Sequence, residues 1–352
     1  MKAGDLSLAA AILRGPMRRL SLLIALLVLP AFAPAASAQG VPEPEPPEVC
    51  CEPPDDVGPQ PKPGKLTLSF RNGLRREGRV YLTKGQRVKI RGRARPFVAG
   101  QYVRIKLRRN GKTVATKVRR LRKHGRRGQF VVRFTPRATD KFSIRARHKR
   151  TRKQRRFKAR ETARVVDNTA GVGSRGIRVR MLQRGLKQLG YAGFTATGHY
   201  GPGTGRAVLA FRKVNHLGRI GYANRLVFQK VFERRGTFRL KYPRAGKHVE
   251  ADLSRQVLVL ARNGRAQRIY HTSSGKASTP TVLGSFRFYR KDAGTNGVGM
   301  VHSNYFIGGY AIHGYHSVPT YPASHGCLRV PIPSAWNIYS WIDTGDRIFV
   351  YR

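Results

Sequence analysis

The run "YPASHGCLRV", residues 321–330, sets Cys327 two residues after His325, with Gly326 between them and Arg329 two residues further on. A thiol is a poor nucleophile until it loses its proton, and an imidazole within hydrogen-bonding reach can take that proton. Two histidines can play this part. His325 is close in sequence but sits on a tight turn. His313 ends the run "GGYAIHG", from which a hairpin-like return would bring it against Cys327. Gly326 permits a sharp turn and close approach of a substrate, leaving the amides of Gly326 and Cys327 as donors to a developing oxyanion. Arg329 can hold the loop or pair with a substrate carboxylate.

Two other uses of these residues stay open. His302, His313, His316, His325 and Cys327 could supply zinc ligands. Their spacing follows no zinc pattern, however, and no acidic base sits among them. A buried, inert cysteine is the plainer alternative, against which the crowd of histidines counts.

The segments around this run alternate like strands. "HVEADLSRQVLVLARNGRAQRIYHTSSG" reads as strand, turn at Asn263-Gly264, and strand; "STPTVLGSFRFYR" reads as loop and strand. Ser334 and Ser340 bracket a short helix, and "DRIFVY" closes the sheet. Residues 246–352 therefore form a β domain. Upstream, residues 174–236 turn helical. Val179, Leu182, Leu186 and Leu189 mark a first helix that Gly190 ends. Ala207, Phe211 and Val214 mark a second; Leu226, Phe228, Val231 and Phe232 mark a third. Residues 65–166 return to alternation, with Val103, Ile105 and Leu107 facing one way and Arg104, Lys106 and Arg108 the other, before a hairpin turn at Asn110-Gly111. Short strands over this length predict an immunoglobulin-like β-sandwich. The chain is thus multidomain and mainly β.

Charge and leader bound the setting. Of 352 residues, 70 are Lys or Arg and 17 Asp or Glu, a formal net charge of +53. Residues 65–165 alone carry 37 Lys/Arg against Glu77, Asp140 and Glu161. Such a charge calls for a polyanionic partner. Residues 1–38 read as an export signal, with Arg14, Arg18 and Arg19 before an apolar run and Ala36-Ser37-Ala38 at the cleavage site; an uncleaved anchor is the alternative. Export directs the expectation away from nucleic acid and toward anionic cell-wall polymers, with the membrane met only through the signal segment. Residues 39–64 are a Pro/Glu-rich linker carrying Cys50 and Cys51. Three cysteines do not make a disulfide scaffold.

Two resemblances sharpen this. "VRMLQRGLKQLGY…TGHYGPGTGRAVLAFRKVNHL" resembles the peptidoglycan-binding domain type 1 family, departing at Thr197, Gly205 and Arg212. "HG…SHGCLR", preceded by "ADLSRQVLVL" and "TPTVLGSF", closely resembles the YkuD-type L,D-transpeptidase catalytic domain, itself a β-sandwich, over roughly residues 247–351. The second resemblance implies Cys327 as nucleophile and His313 as general base, oriented by the Gly314 carbonyl. Ser324, His325, Gly326 and Arg329 would complete the nucleophile loop, and Tyr305, Phe306 and Tyr310 would be candidates for lining the substrate pocket. It implies peptidoglycan stem peptides as substrates, no cofactor and no metal. The expected reaction is release of D-Ala from a tetrapeptide stem and formation of a 3→3 cross-link at the cell wall. An L,D-carboxypeptidase with the same site and a non-catalytic wall-binding protein are the alternatives.

Overall fold

A computed structural model describes residues 60–352. The export segment, most of the linker, and Cys50 and Cys51 lie outside the described residues.

The basic domain begins with β1 (Lys65–Phe70), β2 (Leu74–Arg76), β3 (Arg79–Thr83), β4 (Val88–Arg95) and β5 (Tyr102–Arg109). It continues with β6 (Lys112–Arg120), β7 (Arg122–His124), β8 (Arg127–Phe134), β9 (Lys141–His148) and β10 (Phe157–Val166). These form two sheets, ordered β1-β4-β8-β7 and β2-β3-β10-β9-β5-β6. One core joins them, with Ile90, Phe130 and Val132 from the first sheet meeting Val103, Ile105, Leu107 and Ile144 from the second. The alternation in β5 is the cause. Val103, Ile105 and Leu107 are buried while Arg104 and Lys106 are exposed, because successive residues of a strand face opposite ways. Asn110 and Gly111 both adopt positive φ in the β5–β6 turn, as a two-residue hairpin requires.

Strand register then builds a grid of charge. Lys106 pairs with Arg145 and Arg145 with Arg160; Arg104 pairs with Arg147 and Arg147 with Lys158. All six are exposed. Like charges directly opposite one another repel, so this face concentrates positive charge without neutralising partners across its strand pairs.

Three helices follow, α1 (Ile177–Gln188), α2 (Pro202–Val214) and α3 (Arg225–Phe232). The chain leaves α1 at Gly190, whose φ of 93° suits a helix exit. Buried Gln183 takes an amide proton from Gly198 at 2.8 Å and donates to the Thr204 hydroxyl at 2.8 Å. It thereby ties α1 to the start of α2. Leu226, expected on the apolar face of α3, is exposed instead; Val227 is buried in its place. The helices' core is continuous with both neighbours. It takes in Leu74, Tyr81 and Val166 from the basic domain and Val257, Val259 and Ile269 from the C-terminal one.

The C-terminal domain has β11 (His248–Asp252), β12 (Val257–Arg262), β13 (Arg265–His271), β14 (Gly284–Arg287) and β15 (Arg290–Thr295). Then come β16 (Val301–Ile307), β17 (Tyr310–Tyr315), β18 (Leu328–Pro331), α4 (Ile332–Tyr339) and β19 (Arg347–Tyr351). A five-stranded sheet runs β13-β12-β11-β19-β14, and a four-stranded one runs β15-β16-β17-β18. Val249, Leu258 and Ile348 of the first sheet share a core with Phe306, Ile312 and Leu328 of the second. The helix starts before Ser334, with Pro331 at its N-cap. Among the described residues no helix is long and apolar enough to cross a membrane.

Candidate active site

The site lies on the β17–β18 pair. These strands run parallel, joined by the loop 316–327, and not as the hairpin return the sequence suggests. Ile312 pairs with Leu328, and both are fully buried in the core. Alternation therefore sends His313, Cys327 and Arg329 together to the other face of the sheet. Parallel pairing places them on one surface although the loop separates them in sequence.

His313 is 3% exposed, and its Nδ1 lies 2.9 Å from the Gly314 carbonyl. A carbonyl only accepts, so Nδ1 carries the proton and Nε2 is left as the basic nitrogen. Burial pushes the imidazole pKa below its ordinary value; the bond to Gly314 pulls it back in part, and Arg329 lowers it further. Cys327 is free and half-buried, its sulfur 3.5 Å from the Gly309 carbonyl. Burial pushes the thiol up, more than a backbone hydrogen bond from Ala311 and the Arg329 charge draw it down. Both shifts favour the neutral forms. Arg329 sits with its guanidinium 4.2 Å from the centre of the Tyr315 ring, and that ring meets His313 edge-on at 5.6 Å.

The nucleophile turn is held from within and from below. Ser324 is buried, donates to the Cys327 carbonyl at 2.5 Å and accepts from the Gly326 amide at 3.1 Å. The Gly326 amide is thus engaged, contrary to the expectation of two free oxyanion donors. The Cys327 amide has no hydrogen-bond partner among the described residues. Gly326 adopts φ +119°, and a Cβ there would lie 2.4 Å from the Tyr310 ring. Only glycine fits. His325 is exposed on the same turn.

Of the three pocket candidates, Tyr310 packs on the turn. Tyr305 pairs with Ala311 and so shares the face of Cys327, its ring centre 3.9 Å from the Arg290 guanidinium. Phe306 is buried in the core against Phe286 and Phe288, so it shapes the fold and not the pocket.

Sequence reading missed the bed beneath the turn. Thr281 donates to the Gly326 carbonyl at 2.6 Å and accepts from the Gly275 amide at 2.9 Å. Ser273 and Arg329 exchange backbone hydrogen bonds at 3.0 and 2.9 Å, and the Thr272 hydroxyl donates to the Arg329 carbonyl at 2.7 Å. The signal was a run of hydroxyl residues, "TSSGKASTPT", in a domain otherwise rich in Arg. Among the described residues no group of three or more His, Cys, Asp or Glu is placed to hold a metal ion. His302 packs on Trp336 and Tyr339, and His316 on Tyr315.

A cysteine and a histidine on one sheet face, with a constrained turn and a free amide, form a site able to perform acyl transfer. Comparison with known proteins agrees. Residues 246–350 match the family model of the L,D-transpeptidase catalytic domain, YkuD, and residues 175–230 match that of a peptidoglycan binding domain. An L,D-transpeptidase structure from Xylanimonas cellulosilytica is 37% identical, over 53% of this chain and 98% of that one, at a TM-score of 0.48. One from Stackebrandtia nassauensis is 22% identical, over 53% and 96%, at 0.34. The catalytic domain of an Enterococcus faecium L,D-transpeptidase is 23% identical, over 30% and 98%, at 0.26. No curated protein matches. The chain thus carries a peptidoglycan binding domain at residues 175–230 and a catalytic domain of the L,D-transpeptidase family at residues 246–350.

Proposed function

We propose that the protein is an exported enzyme that forms 3→3 cross-links in peptidoglycan through a Cys327 thioester. The observation carrying this is the shared face of His313 and Cys327, with His313 Nδ1 held by Gly314 and Nε2 left basic. Cys327 attacks the amide joining the third, diamino residue of a tetrapeptide stem to its terminal D-Ala. The sulfur–carbon bond forms as the thiol proton passes to His313 Nε2. The Cys327 amide supports the oxyanion. The carbon–nitrogen bond then breaks, His313 returns its proton to the departing amine, and D-Ala leaves. The side-chain amine of a second stem attacks the thioester, loses a proton to His313, and releases the thiolate, which takes that proton back.

The other modules hold the catalyst on an insoluble substrate and raise its local concentration. The helical module serves as the peptidoglycan contact. The grid of Lys106, Arg145, Arg160, Arg104, Arg147 and Lys158 serves as the contact for anionic wall polymers. Incubating the protein and Cys327→Ala with purified disaccharide-tetrapeptide, followed by mass spectrometry of the products, tests the reading. A dimer lacking one D-Ala, made only with Cys327 present, is expected. Tripeptide monomer alone would make the enzyme an L,D-carboxypeptidase. No Cys327-dependent product would overturn catalysis on this substrate.

A further inference from the structure

The loop 316–323 leads from the His313 strand into the nucleophile turn. Three of its carbonyls are each held by a side chain from outside it. Ser273 Oγ donates to the Tyr321 carbonyl at 2.7 Å, His271 Nε2 to the Val318 carbonyl at 2.9 Å, and Arg219 Nη1 to the Thr320 carbonyl at 2.9 Å. Past these pins, the Ala323 and Ser324 amides both donate to the Ser274 carbonyl, at 2.8 and 3.0 Å. Neighbouring residues Ser273 and Ser274 thus hold both the loop and the entry to the Ser324–Cys327 turn.

Two of the pins depend on the helical module. Arg219 follows α2, and its second terminal nitrogen donates to the Ser254 carbonyl at 2.9 Å, so one guanidinium spans two segments of the catalytic domain. His271, on β13, answers to Lys213 on α2. Lys213 is 3% exposed, and its Nζ lies 2.8 Å from His271 Nδ1, 3.1 Å from the Gln256 carbonyl and 3.3 Å from the Thr272 carbonyl. The Val318 carbonyl can only accept, so His271 Nε2 must carry the ring proton. Nδ1 is then a lone pair, and among the described residues only Lys213 donates to it. Burial pushes Lys213 down to about 6 and His271 to about 4. A neutral amine still has protons enough to make the bond to Nδ1. Lys213 thus selects the tautomer that holds the loop.

We infer that Lys213 and Arg219 are positioning residues for the nucleophile loop, so that the helical module is a brace of the active site as well as a wall contact. The inference deepens the transpeptidase reading and rests on it for its catalytic consequence. Its test uses the full chain and the variants Arg219→Ala, Arg219→Lys and Lys213→Met. Each is followed by thermal melting, by hydrogen exchange of residues 316–323, and by kcat and KM on disaccharide-tetrapeptide. Arg219 is exposed, so Arg219→Ala is expected to melt with the wild type, yet to exchange faster across 316–323. Its kcat should fall about ten-fold with KM little changed, the signature of misplaced reacting groups. Arg219→Lys keeps the charge and reaches one carbonyl, and should recover part of the loss. Lys213→Met should show the same pattern more strongly, even if its melting point also drops. Unchanged loop exchange in both Arg219→Ala and Lys213→Met would overturn the brace, as would faster exchange with wild-type kcat. If the wild type itself makes no Cys327-dependent product, the functional reading falls, and the exchange data alone decide the brace.

Discussion

Burial favours the neutral form of both His313 and Cys327. His313 is held below its ordinary 6.5 and Cys327 above its ordinary 9.0, each by desolvation. On the proposed mechanism His313 receives the thiol proton, and it has to be neutral to do so. Acylation should then be steady through neutral pH and fail on acidification with a midpoint below 6.5, where His313 becomes charged. Single-turnover acylation rates measured across that range check this; a midpoint above 6.5 would contradict the burial argument. Replacing His313 with Ala should cost about 10²–10⁴-fold in acylation rate. Thr281→Val is the matching test of the bed beneath the turn. It keeps the shape but removes both bonds of a buried hydroxyl, and should cost about 1–3 kcal/mol in urea unfolding together with a lower kcat.

Strands and helices set what those residues can reach. Gly314 supplies the carbonyl that orients His313, and it lies where β17 crosses α4. A Cβ at 314 would stand 2.7 Å from Ala335 Cβ and 3.2 Å from the Ile332 Cα. Gly314→Ala should push the strand from the helix, costing about 1–3 kcal/mol and slowing acylation; melts and acylation rates on one preparation would show both or refute the contact. A second joint lies across β11 and β19. Burial pushes the Glu250 carboxyl up, but hydrogen bonds from His248, Tyr351 and the amides of Lys241 and Tyr242 outweigh it and hold the pKa below 4.5. A depressed carboxylate stabilises the fold above its unfolded pKa, and that stability is lost as pH falls through the folded value. Glu250→Gln should therefore destabilise by about 2 kcal/mol at neutral pH, with the gap from wild type closing below pH 4.5. Urea titrations at both conditions measure it; a constant gap would mean packing alone is responsible.

At the scale of the molecule, charge and core are shared out differently. The helices' core takes in residues of the basic domain on one side and of the catalytic domain on the other, whereas the charge grid belongs to one sheet of one domain. Catalysis on a small stem fragment and attachment to wall should therefore separate. Reversing the row Lys106, Arg145 and Arg160 to Glu should weaken pelleting with phosphate-rich wall by at least about ten-fold and flatten its salt dependence, while turnover of disaccharide-tetrapeptide stays as in the wild type. Pelleting that does not respond to salt or to these changes would rule out the grid as the contact.

What the sequence alone determined is what local pattern controls. Alternation fixed the strands of the basic domain and which of their residues face out. The Asn-Gly pairs marked the β5–β6 and β12–β13 turns, and Gly190 marked the end of α1. The run around Cys327 offered a cysteine, two candidate histidines and a glycine turn, the residue types that nucleophile chemistry needs whatever surrounds them. Tertiary structure alone decided the rest. It made β17 and β18 parallel, left the Cys327 amide free while engaging that of Gly326, put Phe306 in the core, and turned α2 toward the loop 316–323. Each of these depends on register and burial between segments far apart in the chain. A hydroxyl run such as "TSSGKASTPT" cannot announce which carbonyls it will meet until the sheets have closed over it.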